Sequence, residues 1–206
     1  MAFAATEHAT IHYSTDLADI IRAWDIRVIS GSEDRASYGP PSIITRKRLP
    51  NAPQRRFTLY HEVGHILVQK AGLEDDIKAE VDDDDADEHL ERVVDAIAAQ
   101  LVMPDPFLHL SLERYGFSPA AILELKRMAQ VSTAAAMRRF VHAHIDAPST
   151  VFVVGETHVL DVASTDPWNR IFPLDRLPDP RAAHPDAQLL QLSHLRPLTL
   201  ALINNE

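Results

Sequence analysis

Arg55-Arg56-Phe57-Thr58-Leu59-Tyr60-His61-Glu62-Val63-Gly64-His65-Ile66-Leu67 is the stretch from which the rest of the chain is read. Apolar residues recur at helical spacing, and Gly72 follows where a left-handed C-terminal cap is common, so a helix is expected from Gln54 or Arg55 to Ala71. On such a helix residues four apart stand about 40° from each other in projection, so His61 and His65 offer both imidazoles from one face. Glu62 lies about 100° round the helix, outside direct reach of an ion held by the two histidines but near a water on that ion. A divalent zinc lowers the pKa of its water from about 15.7 to about 7, and an adjacent carboxylate takes the proton as the water attacks a carbonyl carbon. Glu62 is therefore the candidate catalytic base, and His61 and His65 are candidate metal ligands. Gly64 costs roughly 1 kcal/mol against Ala inside a helix, which points to close packing at that turn.

The chain has no cysteine, which excludes disulfides, thiolate metal ligands and a cysteine nucleophile. A catalytic zinc needs a third protein ligand, here from His or a carboxylate. Glu91 is the candidate, at the start of an expected helix Glu91 to Met103 that ends at Pro104 and Pro106. That helix reads as apolar nearly all round and hence buried. Glu91 and Asp95 nevertheless share one of its faces, and carboxylates there call for compensation by metal and histidine. Asp95 is expected to accept the second ring N–H of a ligating His. The plainer alternative makes Glu91 a first-turn carboxylate favoured by the helix dipole and Asp95 an ion-pair partner of Arg92. Asp87, Glu88 and His89 are further candidates for the third ligand, in poorer register.

The two blocks, Arg55 to Leu67 and ERVVDAIAAQLVMP (Glu91 to Pro104), resemble the ImmA/IrrE family of metallopeptidases, whose pattern is approximately RxRFTxAHExGHxxL followed by ExxANxFAAxLLMP. The resemblance implies a zincin-like fold, His61, His65 and Glu91 as metal ligands and Glu62 as base. It also implies a substrate class, because members typically cleave a helix-turn-helix transcriptional repressor and so release silenced genes, in a stress or DNA-damage response or in mobile-element excision. Zinc is the expected metal, and a His2Glu set also accepts manganese or iron. Tyr60, Asp95 and Ile97 depart from the family's usual Ala, Asn and Phe.

The remaining chain fits an α+β protein with a metallopeptidase domain over residues 1–110, a helix-turn-helix-like segment over 111–146 and a small β-containing region over 147–206. Ser14 to Trp24 reads as an amphipathic helix capped by Ser or Thr, and IRVIS and SIITR, between Ile26 and Ile44, read as strands. Pro119 to Ala129 and Thr133 to His144 read as two helices joined at Gln130-Val131-Ser132. Direct DNA contact by Arg138 and Arg139 is the minority reading of that pair, since few cations are available for phosphates. It belongs with an alternative function, a non-proteolytic DNA- or repressor-binding regulator with a structural metal site. His142 and His144 diverge by about 200° on a helix and read as surface or helix-end residues. Tyr115 and His109 are oxyanion-donor candidates that no spacing selects. Val151 to Val162 reads as a β-hairpin turning at Gly155-Glu156, and the Pro-rich tail has no assignable role.

The net charge is -10, but Glu74 to Glu88 holds ten acidic residues and one Lys, a balance of -9 that leaves about -1 for the rest. This stretch reads as a solvated loop. No basic leader precedes the first apolar residues and no apolar run reaches bilayer length, so no membrane association and a cytoplasmic location are expected.

Overall fold

The computed structural model describes residues 2–46, 52–193, 195 and 197–204. These form two compact units, 1–105 and 106–206, each taken on its own below. The architecture is α+β: helices with a three-stranded sheet in the first unit and a four-stranded sheet in the second.

The first unit opens with α1 (Ala2–Thr10), a helix that the sequence reading did not anticipate, and α2 (Leu17–Ala23). The cap of α2 is Asp16, whose carboxylate accepts from Ala18 N at 2.8 Å. Ser14, an expected cap, instead donates to Asp19 at 2.8 Å. Three strands follow, β1 (Arg27–Gly31), β2 (Arg35–Tyr38) and β3 (Pro41–Arg46), in the order β1-β3-β2. Their polar connection was expected to be loop, but Arg35 to Tyr38 pairs antiparallel to β3, while β1 runs parallel to it. β3 is therefore the central strand, and β1 and β2 are the two edges.

The motif helix α3 spans Ala52–Ala71 and ends at Gly72, whose φ of +66° is the expected left-handed cap. It packs on β2 and β3 and, along its length, on α5 (Ala86–Val102). Tyr60, Val63, Ile66 and Leu67 of α3 and Val94, Ile97, Ala98 and Leu101 of α5 are all buried. The close packing signalled by Gly64 is with α5. A Cβ there would stand 3.0 Å from Val94 Cγ1 and 3.1 Å from the Val94 carbonyl oxygen.

The acidic segment is not a loop. It folds as α4 (Glu74–Lys78), a 3-10 turn over Asp83–Asp85 and the first turns of α5, which begins at Ala86 rather than Glu91. The physical reason is electrostatic. Asp87 and Glu88 sit at the positive end of the α5 dipole, Arg92 pairs with Glu88 at 2.7 Å, and Lys78 pairs with Glu74 at 3.1 Å and Asp87 at 3.0 Å.

The second unit begins with most of α6 (Asp105–Tyr115), a helix formed where Pro104 and Pro106 suggested only a stop. Proline is compatible with a helix's first turn, where its missing N–H has no partner to lose. Next come α7 (Pro119–Ala129) and α8 (Thr133–His142), with Ser118 and Ser132 as N-caps and Gln130 in the left-handed region at φ 55° between them. The chain then builds β4 (Ser149–Val154), β5 (Val159–Ser164), the single turn α9 (Pro180–Ala183), β6 (Gln188–Ser193) and β7 (Leu198–Asn204). The hairpin β4–β5 is extended by the tail into a sheet of order β5-β4-β7-β6. Every residue of the inner strand β4 is buried, and α7 and α8 pack against this sheet.

Candidate metal centre

Two helices supply the site. One turn of α3 presents His61 and His65, whose Nε2 atoms lie 3.2 Å apart. Across from them α5 presents Glu91, with one carboxylate oxygen 3.1 Å from His61 Nε2 and the other 3.4 Å from His65 Nε2. Among the described residues this is the group of three whose ligand atoms converge, all within 4.8 Å of one another. Donors held about 2.0–2.1 Å from a tetrahedral centre stand about 3.3–3.4 Å apart. The separations of 3.1–3.4 Å fit that requirement.

Asp95, one turn beyond Glu91 on α5, lies 2.8 Å from His61 Nδ1. A carboxylate only accepts, so Nδ1–H donates and the Nε2 lone pair of His61 is directed to the convergence point. The plainer alternative for these carboxylates does not describe the structure: Arg92 pairs with Glu88, and Asp95 faces His61. One part of the sequence reasoning does fail. The α5 stripe carrying Glu91 and Asp95 is open, their side chains being 52% and 58% exposed, because the apolar residues of α5 gather on its other side. This side of the site is thus open to solvent, and the two carboxylates are not forced to seek partners by burial.

Glu62 is the buried member of the group, 6% exposed. Burial pushes its pKa above the ordinary carboxylate value; the His61 charge opposes that rise, and Asp34 and Glu91 reinforce it. Burial lowers the His65 pKa, with Glu91 acting in the opposite direction.

Asp34 and Glu74 were missed by the sequence reading. Asp34, in the turn before β2, accepts from Thr45 Oγ1 and Arg46 N at 3.0 Å each and acts electrostatically on Glu62. Glu74 acts on His65 in the same way. Nothing in their local sequence marks either one. Tyr60 is fully buried and donates its hydroxyl to the Thr15 carbonyl at 2.5 Å. Its size is used against the segment leading into α2, which accounts for a large residue where the family has a small one.

Of the other candidates, Asp87, Glu88 and His89 lie on α5 outside the converging group, and His89 faces Glu80 at 3.1 Å. His109 and Tyr115 are on α6, which belongs almost wholly to the second unit. His142 ends α8, and His144 holds the Phe140 carbonyl with Nδ1 at 2.6 Å.

An α+β unit that brings His-Glu-x-x-His on one helix to a carboxylate on a second helix packed against it has the architecture of a metallopeptidase. The chain belongs to the family described by the IrrE N-terminal-like domain, whose model matches residues 21–141. It is 37% identical over 111 residues to the radiation response metalloprotease IrrE of Deinococcus radiodurans, covering 52% of this chain and 33% of that protein. It is 34% identical over 129 residues to the protein of the same name from Deinococcus deserti, covering 60% of this chain and 44% of the relative. The matched part therefore spans less than half the length of these relatives. The fold is also similar to a solved structure of a Mycobacterium tuberculosis transcriptional regulator, with a TM-score of 0.59 at 16% identity over 97% of this chain and 72% of the other.

Proposed function

We propose that the chain is a metal-dependent endopeptidase that cuts a partner protein in the cytoplasm, the partner being a helix-turn-helix transcriptional repressor whose loss derepresses stress or mobile-element genes. The observation that carries the chemistry is the triangle of His61 Nε2, His65 Nε2 and the Glu91 carboxylate, with its 3.1–3.4 Å edges, beside the buried Glu62. His61, His65 and Glu91 would hold the ion, with zinc as the expected occupant. When bound, it supplies Lewis acidity to water and to a substrate carbonyl.

The chain's own residues do the rest. Asp95 holds the His61 ring in one tautomer and orientation through the 2.8 Å contact. Glu62, made more basic by burial, takes the proton of the attacking water and returns one to the leaving amine. The open face of the site admits an extended protein segment. The repressor as substrate rests on family membership and on the Deinococcus relatives being radiation response metalloproteases.

The alternative of direct DNA reading by the helical hairpin finds little support in its cations. Arg138 pairs with Asp161 at 2.9 Å, Arg139 is buried, Arg127 pairs with Glu124 at 2.8 Å and Lys126 donates to Thr133 at 3.0 Å.

The test is co-expression of the chain with a helix-turn-helix repressor encoded beside it. A discrete repressor fragment is expected, and when the purified metal-loaded chain is mixed with intact repressor, a chelator added beforehand should prevent its formation. An intact repressor with the metal-loaded protein present would remove the proteolytic reading.

A further inference from the structure

Four large apolar side chains of the second unit stand in solvent: Leu160, Phe172, Trp168, which is 81% exposed, and Leu174, which is 80% exposed. The backbone holds the two leucines there by special means. Leu160 is the extra residue of a β-bulge, since Val153 pairs with Asp161 and Val154 with Val159, and a bulge re-aims a side chain out of the regular alternation. Leu174 has φ +77°, a left-handed conformation that strains any residue with a Cβ. It follows Pro173 in a turn closed by Asp175 N, which donates to the Phe172 carbonyl at 3.1 Å, and stands where glycine is usual. The two leucines lie close together, because Leu174 N donates to the Val159 carbonyl at 2.8 Å. The loop itself is firmly held. Ile171 is buried in the core with Phe152 and Val159, and the Asn169 side chain both donates to Ile171 O and accepts from Ile171 N at 3.0 Å. A leucine that is both strained and exposed adds nothing to the stability of a single chain.

These residues lie beyond residue 141, where the match to the family model ends, so the peptidase reading gives them no task. Together the four side chains expose about 500 Å² of apolar surface, a size at which a patch on a monomer often has a function. A standard interface takes about 800 Å² from each partner, so this centre needs only a polar rim to complete it. The charges around it decide the partner. The loop and the adjoining β4–β5 turn carry Glu156 and Asp175 alongside Arg170 and Arg176, all four exposed and none in an ion pair among the described residues. An anionic lipid surface calls for an excess of cations, and a basic DNA-binding protein for an excess of anions. Equal numbers of the two signs suit a surface that meets its own copy, where each cation finds an anion across a twofold axis. We propose that this face of the second unit, centred on Leu174, joins two copies of the chain in a symmetric dimer, with the leucines and aromatic rings at the centre and the four charges paired across the rim. The inference goes beyond the peptidase reading and does not depend on it.

The test is sedimentation velocity on the full metal-loaded chain at about 1 to 100 µM. The mass should rise with concentration towards twice the 23.0 kDa of one chain. Leu174→Gly removes the side chain and suits the left-handed backbone; combined with Trp168→Ser it should weaken dimerisation by about thirtyfold or more while the circular dichroism spectrum is unchanged. Val28→Ser/Ile29→Ser, which removes exposed apolar residues of the first unit, should leave dimerisation within about twofold of wild type. Charge gives an independent check. A chain carrying Arg170→Glu/Arg176→Glu and a chain carrying Glu156→Lys should each dimerise more weakly alone, and their mixture should form a mixed dimer at least as tight as the wild type. A wild type that stays monomeric at the highest concentration overturns the proposal, equally so where Leu174 instead carries binding to phosphatidylglycerol vesicles or to the repressor. A dimer that survives Leu174→Gly/Trp168→Ser or is lost in Val28→Ser/Ile29→Ser, or a charge-variant mixture weaker than wild type, overturns it as well.

Discussion

His61 Nδ1 donates to Asp95 Oδ1 over 2.8 Å, linking the metal-facing turn of α3 to the second turn of the exposed stripe on α5. The contact sets which nitrogen of His61 carries its proton and therefore where its lone pair points.

Asp95→Ala should accordingly weaken metal affinity by about 10–100-fold while leaving the fold intact. Asp95→Asn keeps an acceptor oxygen and should lose less. Competition against a fluorescent chelator measures both, and equal affinity for wild type and Asp95→Ala would mean that the ring is oriented by something else.

Gly64→Ala tests the helix crossing. Alanine favours a helix by about 1 kcal/mol over glycine, so an open site would be stabilised. Here the added methyl meets Val94 at 3.0 Å and the α5 backbone oxygen at 3.1 Å, and the backbone cannot move aside as a flexible side chain can. A net loss of about 1–3 kcal/mol is expected, read as a lower denaturation midpoint together with weaker metal binding as α5 is pushed from α3.

The acid response of the second unit should depend on Glu124. Its side chain is 7% exposed and is bound by Arg127 at 2.8 Å and Arg114 at 2.5 Å. Chiefly through the Arg127 hydrogen bonds, with Arg114 adding to them, its pKa falls from the ordinary 4.5 to about 2. A carboxylate with a depressed folded-state pKa stabilises the fold above its unfolded value and loses that contribution as pH falls through the folded one. The difference in melting temperature between wild type and Glu124→Gln should thus be full above pH 4.5, shrink between 4.5 and 2, and vanish below about 2. A difference independent of pH over that window would show that the charge is not what matters.

The convergence of His61, His65 and Glu91 was legible because helical periodicity fixes which residues share a face, and both blocks lie on helices. The start of α5 was not, since a run of carboxylates resembles a solvated loop until Lys78 and Arg92 are seen to pair within it. The same false start made α5 look apolar all round. With Ala86 to Leu90 included it has a wet face, the one bearing Glu91 and Asp95. β2 escaped notice because Arg35 to Tyr38 carries little β-branched character, and its pairing with β3 is long-range information. Asp34 and Glu74 reach the site from a turn and a short helix, where no period exists to reveal them.

The role of Glu62 is tested most directly by Glu62→Gln, assayed for metal content and for repressor cleavage on the same preparation. The account predicts metal bound as in the wild type and no fragment, because His61, His65 and Glu91 remain while the proton acceptor is gone. A fragment still produced at the wild-type rate would contradict it.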